Sequence, residues 1–172
     1  MRFLLIGLLL LATALAQNAP SRIAPACGLP GVDFHGRLDK SQHTIISPQP
    51  GKAQVYFVQD KGPHSFGVGG TVVSWIGIDG QWVGMNKNNS YFSVPLEPGE
   101  HHICAFAEFP SGDPVELSYF KAEAGNVYYF RERIIPTEFG IYLLFDPVNS
   151  DEAKYLVGAF PLSISHPRTK KG

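Results

Sequence analysis

TVVSWIGIDGQWVGM, residues 71 to 85, sets two runs of β-branched and aromatic residues on either side of Asp79-Gly80. An Asp-Gly pair takes up the two positive-φ conformations of a type I′ turn, whose twist matches that of the strands it joins. Residues 71–78 and 81–85 therefore read as a tight hairpin with Ile78 opposite Gln81. Counting outward, Gly77 opposes Trp82 and Trp75 opposes Gly84. Both indoles then lie on one face of the ribbon, each over a cross-strand glycine.

Similar runs recur at 53–59, 91–96, 100–109, 115–124, 126–135 and 140–148, broken by glycine and proline. Pro98-Gly99 suits a type II turn, and Gly125 separates two further runs. In NVYYFRERII, residues 126–135, Val127, Tyr129, Arg131 and Arg133 share one face and Tyr128, Phe130, Glu132 and Ile134 the other. Neither face is wholly apolar, so part of this strand is expected to meet solvent. Residues 151–160 read as a helix capped by Asn149 or Ser150, with Asp151 and Glu152 in its first turn. Tyr155, Leu156 and Ala159 are expected to face the sheet, Pro161 stops the helix, and PLSISHP returns as an edge strand ended by Pro167. The fold expected is all-β: an immunoglobulin-like antiparallel β-sandwich of about seven to nine strands with one short C-terminal helix.

The opening MRFLLIGLLLLATALAQ reads as a secretory signal over residues 1–16, with Ala14 and Ala16 at the cleavage positions. Its apolar run is too short for a membrane span, and no later stretch is longer without a charge or proline. Residues 17–50, rich in proline, glycine, serine and glutamine, read as an extended lead-in, 51–167 as the sandwich and 168–172 as a basic tail. Export to the periplasm or the cell exterior makes a Cys27–Cys104 disulfide the expected state. It would pin the lead-in to a core strand, with a chain-entropy contribution of about 4.5 kcal/mol. Cys27 lies roughly ten residues past the apolar run, too late for lipidation, so no lipid anchor is expected.

Lysine and arginine number 14 against 15 aspartates and glutamates, and RTKK at 168–171 is the one basic cluster. This argues against a nucleic-acid groove. His101 and His102 are adjacent on a strand and so point to opposite faces, while His35, His43, His64 and His166 are scattered; no metal site is assigned. No serine sits in a GxSxG elbow, and GVGG at 67–70 lacks the lysine of a phosphate loop. Glu97, Glu100, Glu108, Asp113 and Glu116 offer no pair that sequence singles out. No catalytic residue or cofactor is assigned. The candidate ligand surface is polar and aromatic: Trp75, Trp82, Asn86, Asn88, Tyr91 and Tyr119, as a platform for a sugar or peptide. The competing reading makes the tryptophans a packing device over backbone.

GKAQVYFVQD, IDGQWVGMNKNNSYFSVPLEPGEHHIC, KAEAGNVYYFRERI and SDEAKYLVGAFPLSISHP, with ACG at 26–28, together resemble an exported bacterial family, domain of unknown function number 2846, in a form found in soil acidobacteria. The order of motifs is also similar to small immunoglobulin-like or PEGA-type envelope domains. The resemblance implies a β-sandwich, an exported location and often lipoprotein attachment, with no chemistry and no catalytic residues to carry over. The function expected is that of a non-enzymatic structural or protein-interaction domain of the envelope, whose partner is an envelope protein or glycan. Beside it stand a carbohydrate-binding module and a hydrolase with an unfamiliar site.

Overall fold

The computed structural model describes residues 27–29, 32–62, 71–109 and 112–169. The expected signal segment, the GVGG stretch, His64 and the last lysines lie outside them. The strands are β1 (Val32–Asp39), β2 (Ala53–Asp60), β3 (Val73–Ile78), β4 (Gln81–Lys87), β5 (Ser90–Leu96), β6 (Gly99–Ala107), β7 (Val115–Ala122), β8 (Val127–Thr137), β9 (Gly140–Pro147) and β10 (Leu162–Thr169). One helix, α1 (Ser150–Ala159), precedes β10.

The strands form two sheets, a six-stranded one in the order β1-β10-β5-β2-β8-β9 and a four-stranded one in the order β4-β3-β6-β7. The chain is thus an all-β sandwich, with ten strands among the described residues rather than seven to nine. The larger sheet is mixed, because β8 pairs parallel with β2 and β10 parallel with β5. Between β2 and β8 the chain passes through the four strands of the smaller sheet and β5 of the larger one, which supply the long connection that a parallel pair requires. Two expectations about the ends need correction. The supposed lead-in contains β1, paired with β10 over its whole length, and β10 lies inside the sheet rather than at its edge.

All eight residues of β2 are buried. Val55 and Phe57 face the smaller sheet in a core with Ile76, Phe92, Ile103, Phe130, Leu143 and Phe145. Tyr56 and Val58 point the other way, under α1, against Tyr91, Tyr129, Ala153, Leu156 and Val157. A strand covered on both faces reads as a continuous apolar run, which is what AQVYFVQD shows. Each large side chain sealed there stabilises the fold by about 1.5–3 kcal/mol.

Asn149 caps α1, its side chain accepting from the N–H groups of Asp151 and Glu152, both at 3.0 Å. The buried stripe is Ala153, Leu156 and Val157, not Tyr155 and Ala159 as expected from sequence. Positions i, i+3 and i+4 share a helical face, and Tyr155 falls off it. The Asp79-Gly80 turn has φ of 49° and 77°, as a type I′ turn demands. Gly99, at φ 148°, makes no type II turn, whose glycine sits near +80°.

Candidate functional site

The β3–β4 hairpin carries both indoles on the outer face of the smaller sheet. Gly77 opposes Trp82 as expected, but a bulge at Val83 shifts the register so that Trp75 opposes Met85 and Gly84 opposes Ile76. The extra residue puts Gly84 over the ring of Phe92, whose Cε2 would stand 2.5 Å from a Cβ at 84. Trp75 and Trp82 meet edge to face, with centroids 5.9 Å apart and planes at 80°, and both rings touch Phe106. Phe34 of β1 closes the cluster from the Trp75 side.

Residues 27–29 cross this cluster as a strap. The Cys27–Cys104 disulfide holds it, with Cα atoms 5.0 Å apart and both residues fully buried. The Trp82 Nε1–H donates to the Leu29 carbonyl at 2.9 Å. The strap lies so close that a Cβ at Gly28 would stand 2.6 Å from the Trp82 ring. The indoles are therefore half-buried packing elements in a T-shaped pair, not a coplanar platform. One side of Trp75 remains open and lines a groove of about 240 Å³ with Thr71, Val73 and Glu108.

The other candidate ligand residues do not join them. Asn86 is fully buried between the sheets, donating from Nδ2 to the Phe57 carbonyl at 3.2 Å. Asn88 shapes the β4–β5 turn at φ 56°, and its side-chain oxygen accepts from the Val72 N–H at 2.9 Å. Tyr91 is buried on the far side of the larger sheet beneath α1, where burial and then the Tyr56 phenol raise its pKa. Tyr119, on the outermost strand β7, is 77% exposed and lies beside His102, with ring centroids 6.4 Å apart. The six residues thus occupy three different faces.

His101 and His102 do point opposite ways, one buried and one exposed. His101 locks the hairpin turn: its Nδ1 is 2.6 Å from Asp79 Oδ2 and its Nε2 is 2.8 Å from the Glu97 carbonyl. Asp79 Oδ1 accepts from the His102 N–H at 2.9 Å. Burial would raise the Asp79 carboxyl, but the hydrogen bonds from His101 and His102 and the nearby imidazoles outweigh it and hold the group below the usual carboxylate range. His35 and His166 face each other across β1 and β10, with Arg168 Nη1 2.6 Å from His35 Nε2. Among the described residues, no group of three or more His, Cys, Asp or Glu is placed to hold a metal ion.

A polar cluster that sequence reading did not single out closes one end of the sandwich. Ser90, Gln59, Glu132 and Phe145 are successive partners across β5, β2, β8 and β9, and so form one row on the inner face of the larger sheet. Ser74 and Asn86, paired across β3 and β4, oppose the row from the other sheet. Gln59 Nε2 donates to Ser74 Oγ at 2.8 Å, and Ser74 Oγ donates to Glu132 Oε2 at 2.8 Å. Ser90 Oγ donates to Asn86 Oδ1 at 3.2 Å. All five polar residues are fully buried. Burial pushes the Glu132 carboxyl up to about 7, against the lowering effect of its polar neighbours, Ser74 first and then Asn86 and Gln59. Strand β8 thus does not meet solvent through Glu132. The sequence signal was present, since a glutamate alternates there in register with Phe130 and Ile134.

On the opposite face of the larger sheet, beside the end of β2, Arg131 binds Asp60 Oδ2 at 2.5 Å and Glu152 Oε1 at 2.7 Å, tying α1 to β2 and β8. Arg133 pairs with Asp146. An open groove of about 280 Å³ runs past Asp60, Arg131, Arg133, Ile135 and Pro136.

Fold and site together define a two-sheet β-sandwich with a disulfide-held strap over one face and a polar plug at one end. The chain belongs to the family described as protein of unknown function (DUF2846), whose model matches residues 49–140. That stretch runs from β2 through β8 and leaves Cys27, β1, α1 and β10 outside it. No curated protein and no solved structure matches the chain.

Proposed function

We propose that the protein is an exported, non-enzymatic interaction domain that binds an envelope protein through the outer face of its smaller sheet. The carrying observation is the pairing of Tyr119 and Leu117, 77% and 53% exposed, on the outermost strand β7. Leu117 is the cross-strand neighbour of Cys104, the residue through which the disulfide fixes the strap to this sheet, and Leu29 of the strap is exposed as well. Large apolar side chains grouped on a rigid face favour recognition of a partner. The disulfide suits an oxidising compartment, in keeping with periplasmic or extracellular residence. Among the described residues, no helix is long and apolar enough to cross a membrane. The likeness to immunoglobulin-like and PEGA-type envelope domains belongs to the same reading.

The test is a photo-crosslinking amino acid placed at position 119 or, as control, at Tyr155, equally exposed on α1 across the molecule. Crosslinks to one protein from 119, absent from 155 and lost on Leu117→Asp, are the expected result. Equal labelling from both positions would overturn the proposal.

A glycan is the second reading, favoured by the groove that joins the open side of Trp75 to Thr71 and Glu108. An indole beside a carboxylate and a hydroxyl matches the composition of sugar subsites. Titrating envelope oligosaccharides while following the Trp75 indole N–H resonance tests it; a resonance that stays still removes this reading.

A further inference from the structure

Glu132 has the features of a group that works by holding a proton. The sandwich seals it completely, and its neighbours are neutral: Gln59 from β2, Ser74 from β3, Asn86 from β4, Ser90 from β5 and the Phe145 ring from β9. The charged groups on adjoining positions, Asp60, Arg131 and Arg133, lie on the other face of the sheet and pair with one another, with Glu152 or with Asp146. What acts on the Glu132 carboxyl is burial and the neutral side chains of Ser74, Asn86 and Gln59. Two buried acceptors are also left without a hydrogen bond, Glu132 Oε1 and Gln59 Oε1. Gln59 and Glu132 are direct partners across the parallel β2–β8 pair. A carboxylate at 132 leaves both oxygens short of a donor, whereas a carboxylic acid there brings the missing hydrogen with it. An unsatisfied buried acceptor is costly, and a buried unpaired charge far more so.

We propose that Glu132 is a proton-operated latch between the two sheets: as the neutral acid it closes the polar plug, and on losing its proton it loosens the sandwich where β2 and its pairing with the middle of β8 end. The position suits a local response. The same stretch of β8 carries Arg131, which ties α1 to the sheet, and together with the end of β2 it borders the groove past Asp60 and Ile135. Ionisation at 132 thus acts first on the joint between sheets and only secondarily on the helix anchored beside it.

The sign follows from the folded value near 7 against the ordinary 4.5. Below about pH 4.5 both folded and unfolded chains carry the proton, and stability from this group is full. Between there and 7 the folded chain alone retains it, so the unfolding constant rises about tenfold per pH unit. Above 7 the effect levels off.

The test uses the full oxidised chain, wild type and Glu132→Gln, in urea titrations from pH 4.5 to 8 and in amide hydrogen exchange over the same range. In the wild type the urea midpoint should fall as pH rises toward 7, and protection factors at 57–60 and 130–133 should fall more than those in α1. In Glu132→Gln both should stay level across that window. A slope retained in the variant, or wild-type protection that does not change, would overturn the proposal. A carbon-13 titration of the wild-type Glu132 carboxyl decides the matter independently of any variant: a midpoint near the ordinary glutamate value ends the latch.

Discussion

The carbonyl oxygen of Cys27 occupies the space above Gly77: a Cβ built at residue 77 would lie 1.8 Å from it. Gly77 is also the direct cross-strand partner of Cys104, to which Cys27 is bonded. The strap, the disulfide and the missing side chain are thus one arrangement. Backbone, not a flexible side-chain end, blocks the position, so Gly77→Ala should displace the strap and cost about 3 kcal/mol, the upper range for overpacking. Thermal denaturation measures the loss, and a red shift of indole emission reports the strap leaving Trp82. Unchanged stability and emission would contradict the close approach.

Replacing both cysteines by serine tests the disulfide itself. The bond joins residues 77 apart, and the chain-entropy relation gives a loss of about 4.5 kcal/mol, with about 2–5 kcal/mol typical of removed native bridges. The strap would then be held chiefly by the Trp82–Leu29 hydrogen bond, worth about 1 kcal/mol. Urea unfolding should show the stability loss, and acrylamide should quench the indoles more readily than in the oxidised chain.

These features were legible in the sequence to different degrees, for physical reasons. Asp79-Gly80 could be read because only a few residue pairs tolerate two successive positive φ values, and Cys27–Cys104 because two cysteines offer one pairing. Strand β1 escaped because VDFHGRLD has no apolar run. Its Gly36, a poor strand former, lies where a Cβ would meet the Met85 methyl at 2.2 Å, a demand set by a distant residue. Asn86 and Tyr91 looked like surface residues because polarity does not reveal which side of a pleat faces the core. The bulge at Val83 and the parallel insertion of β8 beside β2 are tertiary outcomes with no local signature. Glu132 was visible as an anomaly in an apolar register, but only the opposing Ser74 and Asn86 give it partners.

The helix face offers a direct check on packing. Leu156 is buried against Tyr56 and Val58, whereas Tyr155 is 75% exposed. Leu156→Ala should cost about 2–4 kcal/mol through the cavity it leaves. Tyr155→Ala should stay within about 0.5 kcal/mol, as surface substitutions do. Chemical denaturation of the two variants separates this helix orientation from the one expected from sequence; the reverse ranking would mean that α1 is rotated.

Asp79 gives a pH dependence opposite in sign to that of Glu132. Its carboxyl is held below the ordinary 3.8, so the stabilisation it contributes is full above that value and disappears as pH falls through the folded value. Asp79→Asn keeps a residue that accepts positive φ, so the hairpin turn survives, but it loses the charge facing His101 and weakens the acceptor for the His102 N–H. The side chain is nearly half exposed, and solvent screening limits the effect to about 1 kcal/mol or less. The wild type should therefore exceed the variant in urea midpoint at pH 6 and converge with it as pH falls through the folded value, below the ordinary 3.8. A gap that persists unchanged to pH 2 would show that Asp79 acts through the shape of the turn alone, not through its charge.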